Sequence, residues 1–70
     1  MDVRQRINAI IERKYGRVEE NLMATGLVDS LRAVELAMLI EKEFALQADT
    51  FALSDMRTTS AIAKRVLAVL

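Results

Sequence analysis

The 70-residue sequence contains no cysteine, histidine or proline, and it has only two glycines. Without cysteine the chain has no disulfide, no thiol nucleophile and no cysteine-based metal site, and a reducing compartment suits it. Without histidine it lacks the usual general base near neutral pH and the commonest zinc ligand. Two glycines cannot build a glycine-rich phosphate loop. We therefore expect no metal site, no catalytic residues and no enzymatic activity.

Neither sign of charge is in excess, and no hydrophobic run is long. Ten basic residues balance ten acidic ones, so nucleic-acid binding is not indicated. The apolar runs are too short to span a membrane, and MDVRQRINAI lacks the apolar region of a secretion signal. We expect one cytoplasmic domain, 1–70, that binds neither nucleic acid nor membrane.

The charge is unevenly distributed along the chain. Residues 1–16 carry four basic and two acidic side chains, and residues 45–70 carry three and two. Residues 17–44 carry three basic and six acidic side chains, so this stretch has a net charge of −3. Ordinary solvated charge is a sufficient explanation of a difference this small.

The spacing of apolar residues predicts helices and no strands. Val3, Ile7 and Ile11 recur every four residues, which places them on one face of a first helix. Asp2 is a suitable N-cap for this helix, and Gly16 is a suitable stop.

Residues 17–29 show no regular period and are expected to form a long loop. Val18, Leu22 and Leu27 are its expected anchors, and Gly26 is expected in a backbone conformation that other residues resist. Loops of this length inside compact domains are uncommon and are often functional.

A second helix is predicted from about Leu31 to Phe44, and it carries apolar residues on two faces. The expected core face consists of Ala33, Leu36, Ala37, Leu39, Ile40 and Phe44. An opposite stripe consists of Leu31, Val34 and Met38, bordered by Glu35, Glu41 and Lys42. Periodicity leaves three interpretations of this stripe open: burial under the 17–29 loop, scattered surface apolarity, or docking of a partner.

Residues 45–58 are a second connection, with one short helical turn expected between Thr50 and Met56. Its expected apolar anchors are Phe51, Leu53 and Met56. Thr59 or Ser60 is the expected cap of a last helix, whose expected inward residues are Ile62, Ala63, Val66, Leu67 and Leu70. The predicted fold class is all-α, a small bundle of three longer helices and one short helix.

Asp29 and Ser30 stand at the start of the second helix. One interpretation is simple capping, in which a side-chain oxygen accepts a hydrogen bond from a free N–H group. The other is chemical, because a helix N-terminus favours a phosphate ester through its free N–H groups and partial positive charge. Position alone does not decide between them.

The stretch NLMATGLVDSLRAVELAMLIEKEF, residues 21–44, resembles the carrier proteins: acyl carrier proteins, peptidyl carrier proteins and the free-standing D-alanyl carrier protein. The residues that fit the family pattern are Gly26, Asp29, Ser30, Leu31, Val34, Glu35, Leu36, Glu41, Glu43 and Phe44. The predicted order of helices agrees over the whole chain. The segments GLVDS and RTTSAI look closer to free-standing carriers of amino acids or unusual starter acids than to fatty-acid carriers.

This resemblance implies a cofactor. Ser30 would carry 4′-phosphopantetheine, installed from coenzyme A by a phosphopantetheinyl transferase, with Asp29 and Leu31 beside the attachment site. The arm would supply the thiol that the chain lacks and would hold a substrate as a thioester. The other implied partners are a loading ligase or adenylating enzyme and a downstream transferase or synthase.

The resemblance also gives the second apolar stripe a role. Leu31, Val34 and Met38 would dock successive enzymes, with Glu35 and Glu41 steering encounter as part of the same surface. Arg32 stands where many acyl carriers have an acidic residue, which indicates dedicated partners. We expect a free-standing, monomeric carrier protein. An aminoacyl group is its first expected cargo and an acyl group its second. The alternative is an unmodified helical interaction module.

Overall fold

The computed structural model describes residues 2–70, so Met1 of the expected 1–70 domain lies outside the described residues. Its elements are α1 (Val3–Tyr15), α2 (Ser30–Glu43), a 3₁₀ helix (Leu53–Met56) and α3 (Thr59–Val69). No strand occurs between residues 2 and 70, so the described residues have the all-α structure that the sequence predicts. The expected short fourth helix is a four-residue 3₁₀ turn. Within the described residues, none of the helices has the length and apolar character needed to cross a bilayer.

Both ends of α1 are formed as the sequence predicts. The carboxylate of Asp2 accepts a 2.7 Å hydrogen bond from the backbone N–H of Gln5, which satisfies one free donor of the first turn. At the other end Gly16 adopts φ 82° and its N–H donates to the carbonyl of Glu12. This left-handed conformation is strained for residues with a Cβ, so glycine ends the helix at low cost.

The core is built from one face of each helix and from the loop before α2. Its buried residues are Ile7, Ile10, Ile11, Leu22, Leu27, Val28, Ala33, Leu36, Ile40, Phe44, Met56, Ile62, Ala63 and Val66. Leu36, Ile40 and Phe44 are buried as predicted, and Ala37 packs partly against them. Burial of these apolar side chains is the main favourable term in folding a chain of this size.

Several residues expected inside are exposed. Val18 lies at the surface of the 17–29 loop, Leu39 is exposed on α2, and Leu53 is exposed on the 3₁₀ helix. Leu67 and Leu70 are exposed at the end of α3. A helical period shows which side chains share a face, but not how far the neighbouring elements extend to cover that face.

Contacts at both ends show that α1 and α2 are antiparallel. The Arg6 guanidinium near the start of α1 pairs with the Glu43 carboxylate at 2.9 Å and lies 4.3 Å from the centre of the Phe44 ring. At the other end the Tyr15 hydroxyl donates to the carbonyl of Arg32 at 3.4 Å. The start of α2, where Ser30 lies, is therefore beside the end of α1.

The start of α3 is held by the 17–29 loop. The buried Thr59 donates its N–H to the carbonyl of Glu20 at 2.9 Å and its hydroxyl to the carbonyl of Glu19 at 2.8 Å. The cap is Thr58, whose hydroxyl accepts from the N–H of Ala61 at 3.0 Å, and not Thr59 or Ser60 as the sequence suggested. Thr59 instead joins the loop to the core.

Candidate functional site

Ser30 is the first residue of α2, directly after the cap. Asp29 has an extended backbone, and its carboxylate accepts a 2.8 Å hydrogen bond from the N–H of Arg32. The N–H of Ala33 donates to the Asp29 carbonyl at 2.9 Å. Of the two candidates for the cap, Asp29 has that role, so the Ser30 hydroxyl is not needed for it.

The first turn of α2 retains unused hydrogen-bond donors. The first four N–H groups of an α-helix have no partner inside the helix. Asp29 satisfies two of them, which leaves the N–H groups of Ser30 and Leu31 pointing out of the helix start. Ser30 is exposed, and its hydroxyl makes no hydrogen bond to any residue between 2 and 70. A phosphate ester on this oxygen would meet free donors and the positive end of the helix dipole.

The loop before Ser30 is fixed against the helices. Leu27 and Val28 are buried, and the N–H of Val28 donates to the carbonyl of Leu22 at 3.0 Å. The Arg32 guanidinium reaches back and donates to the carbonyl of Leu27 at 3.2 Å. Gly26 makes the turn with φ 79°, which confirms the expected special backbone at this position. The backbone on both sides of the exposed Ser30 is therefore held in place.

Tyr15 adds a polar contact beneath the site. Burial raises the pKa of the Tyr15 phenol, the Glu35 carboxylate raises it further, and the Arg32 guanidinium opposes the rise. The phenol therefore stays protonated at neutral pH and can donate its hydrogen bond to the Arg32 carbonyl. Sequence analysis did not single out Tyr15, because only the antiparallel packing of α1 and α2 brings it here.

The second apolar stripe of α2 is on the surface. Leu31 is 73% exposed, Val34 is 58% exposed and Met38 is 63% exposed. The 17–29 loop does not cover them, so burial under that loop is wrong as an explanation of the stripe. Three large apolar side chains are thus exposed on the helix that begins at Ser30.

Of the two glutamates predicted beside this stripe, one is exposed and the other is buried. Glu35 is exposed, with a carboxylate oxygen 3.8 Å from the Lys14 ammonium. Glu41 was expected on the docking surface, and that prediction is wrong because it is only 8% exposed. Its carboxylate accepts a 3.1 Å hydrogen bond from the N–H of Thr50. Glu41 therefore anchors the loop after α2. The sequence does not show this role, because it depends on where that loop folds back.

A shallow groove lies between α2 and the 3₁₀ helix, on the side of the stripe. Its volume is about 90 Å³, and its lining residues are Ala33, Val34, Ala37, Phe51, Ala52, Leu53 and Met56. This is about the space of three water molecules. Phe51 and Leu53 were both expected as apolar anchors. Phe51 is half-buried and packs against the core as expected, whereas Leu53 is exposed at the edge of this groove.

Comparison with known families identifies the family of the chain. The family model described as "Phosphopantetheine attachment site" matches residues 2–66. The chain belongs to this family. The carrier's cofactor is accordingly 4′-phosphopantetheine, which members of the family bind covalently on a serine. No curated protein and no solved structure matches the chain. Between residues 2 and 70, no cluster of three metal-ligating side chains occurs.

Proposed function

We propose that Ser30 is the attachment site and that the chain, as a single carrier domain, presents a cargo on the arm to biosynthetic enzymes. The observation that carries this proposal is an exposed hydroxyl at the start of a 14-residue helix, next to two N–H donors, none of which has a hydrogen-bond partner among residues 2–70. Because Asp29 caps the helix, modification of Ser30 costs the fold no hydrogen bond.

The chain has two other serines, and neither offers the same setting. The Ser60 hydroxyl accepts a 3.0 Å hydrogen bond from Arg4, and its N–H donates to the carboxylate of Glu20 at 3.1 Å. A phosphate there would meet the negative charge of Glu20 and would compete with that carboxylate for Arg4. Ser54 is exposed on a single 3₁₀ turn, next to Asp55. These contacts favour Ser30.

The covalent step is a phosphoryl transfer. The Ser30 oxygen forms a bond to the phosphorus that carries pantetheine in coenzyme A, and the pyrophosphate bond breaks. Adenosine 3′,5′-bisphosphate leaves, and the hydroxyl proton passes to a base. This chain has no histidine to accept that proton, so a separate phosphopantetheinyl transferase supplies the base. The thiol of the attached group then holds cargo as a thioester, which raises its effective concentration at each partner.

Leu31, Val34 and Met38 serve in this proposal as the docking stripe for the transferase, the loading ligase or adenylating enzyme and the downstream enzyme. The support is their exposure on the face that begins beside Ser30. Glu35 adds a negative charge at the edge of the stripe, which suits basic partner surfaces. Arg32 is exposed in the same first turn, but its guanidinium also holds the loop through Leu27.

An aminoacyl cargo is favoured over an acyl chain. The support is the resemblance of the segments GLVDS and RTTSAI to free-standing carriers of amino acids or unusual starter acids. The groove next to the stripe, of about 90 Å³, does not enclose a long hydrocarbon chain. A short acyl group is the second candidate.

Intact-mass measurement after incubation with coenzyme A and a broad-specificity transferase tests the site. We expect one added phosphopantetheine in the parent and in Ser54→Ala and Ser60→Ala proteins, and none in Ser30→Ala protein with unchanged helical circular dichroism. Modification of Ser30→Ala protein would contradict the assignment. No modification of any of the four would favour the unmodified interaction module.

A further inference from the structure

A second surface lies on the opposite side of α2 from the shallow groove, along its seam with α1. It is an open groove of about 530 Å³. Its lining residues are Ile10, Arg13, Lys14, Leu39, Lys42 and Glu43. A smaller hollow lined by Lys14, Glu35, Met38, Leu39 and Lys42 continues it toward the docking stripe. We call the two together the seam groove.

The floor of the seam groove is apolar, and its edges are basic. Ile10 is buried at the bottom and Leu39 is 41% exposed beside it. Arg13 and Lys42 are exposed and form no ion pair between residues 2 and 70. Lys14 is held only loosely, 3.8 Å from Glu35. The nearby Glu43 carboxylate is already neutralised by Arg6. The groove therefore has an excess of positive charge above an apolar floor.

We propose that the seam groove docks an acidic amphipathic helix of a partner protein. Aliphatic side chains on one face of that helix would pack against Leu39 and Ile10, as helices do in other apolar grooves. Carboxylates on its flanks would meet Arg13, Lys14 and Lys42, and this charge complementarity would fix the orientation. The inference does not require modification of Ser30.

The shape and charge of the groove favour a protein segment over a membrane surface. Ile10 is buried between the two helices that form its sides, so a flat lipid surface would meet mainly Leu39, whereas a helix can lie along the groove. The acidic Glu35 also lies at its margin, and it would oppose an anionic membrane. A discrete helix can place its carboxylates beside the basic residues and away from Glu35.

The probe is a synthetic helical peptide of about 18 residues with leucines at i, i+3, i+4 and i+7 and glutamates on both flanks. Matched peptides carry glutamine or lysine in place of glutamate. Binding to the isotopically labelled full chain is followed by NMR shift changes in apo protein and in Ser30→Ala protein. We expect saturable binding of the glutamate peptide to both proteins, centred on Leu39 and Lys42, and weaker binding of the other two peptides.

Variants locate the contact. Arg13→Gln with Lys42→Gln should weaken binding of the glutamate peptide about three- to tenfold, less as salt rises, because exposed ion pairs are weak and screened. Leu39→Ser should weaken it at all salt concentrations. The controls Lys64→Gln and Leu67→Ser change exposed residues of α3 and should have no effect. Shifts centred on Leu31, absence of saturable binding, or stronger binding to phosphatidylserine vesicles than to the peptide would overturn the proposal.

Discussion

Met38 and Leu36 lie two positions apart on α2 and should respond to truncation in opposite ways. Leu36 is fully buried, and Leu→Ala substitutions in cores cost about 2.7–5 kcal/mol through lost transfer energy and the cavity left behind. Met38 is 63% exposed, so only about a third of a full burial energy of about 1.5–3 kcal/mol is available to lose. Met38→Ala should thus cost at most about 0.5–1 kcal/mol.

Met38→Ala should affect the transfer reaction much more than it affects stability. With folded protein, Met38→Ala should lower kcat/KM for phosphopantetheinyl transfer about three- to tenfold, because it removes a contact from the docking stripe. Leu67→Ala is the matched control, since Leu67 is also 63% exposed but lies on α3; it should likewise cost at most about 0.5–1 kcal/mol of stability but leave kcat/KM unchanged. Thermal and urea unfolding by circular dichroism give stability, and initial rates of transfer give kcat/KM. If Met38→Ala costs several kcal/mol of stability and its folded fraction reacts normally, the docking assignment is wrong.

Three further predictions concern the ends of helices and the charge beside the stripe. Ala45→Gly should stabilise the protein by about 0.5–1 kcal/mol in urea unfolding, because Ala45 has φ 54° after α2; destabilisation would contradict this. Hydrogen bonds from Ser60, with the charge of Arg4, hold the pKa of the Glu20 carboxyl below its ordinary value. The ionised Glu20 therefore contributes to the free energy of unfolding at pH values above its ordinary pKa, and this contribution is lost as the pH falls through its lowered pKa. Glu20→Gln should remove this contribution, which is less than about 1 kcal/mol. A stability difference between Glu20→Gln and the parent that does not change with pH would contradict this prediction. Glu35→Lys should slow transfer at low salt and less at high salt, and a salt-independent effect would exclude steering.

The helices could be predicted from the sequence because their signals are local. Asp2 and Gly16 bound α1, and Asp29 precedes α2, because a cap depends on residues within one turn of it. The exposure of Leu31, Val34 and Met38 was left open by periodicity, since an apolar stripe looks the same whether it meets a loop or solvent. The structure decides this in favour of solvent.

What could not be predicted depends on distant parts of the chain. Glu41 is buried because the N–H of Thr50 returns to it, and no local pattern shows that the loop folds back. Thr59 contacts the carbonyl of Glu19, forty residues away, so its role differs from that of the neighbouring cap Thr58. Tyr15 joined the site for the same reason, because a tertiary contact connects it to Arg32.

The most direct test of attachment at Ser30 is tryptic peptide mapping of protein modified with coenzyme A and transferase. Cleavage after Arg17 and Arg32 releases residues 18–32, in which Ser30 is the only serine. Ser54 and Ser60 fall in separate peptides, residues 43–57 and 58–64. The account predicts the phosphopantetheine mass on peptide 18–32 alone. The same mass on either of the other two peptides, with peptide 18–32 unmodified, would contradict it.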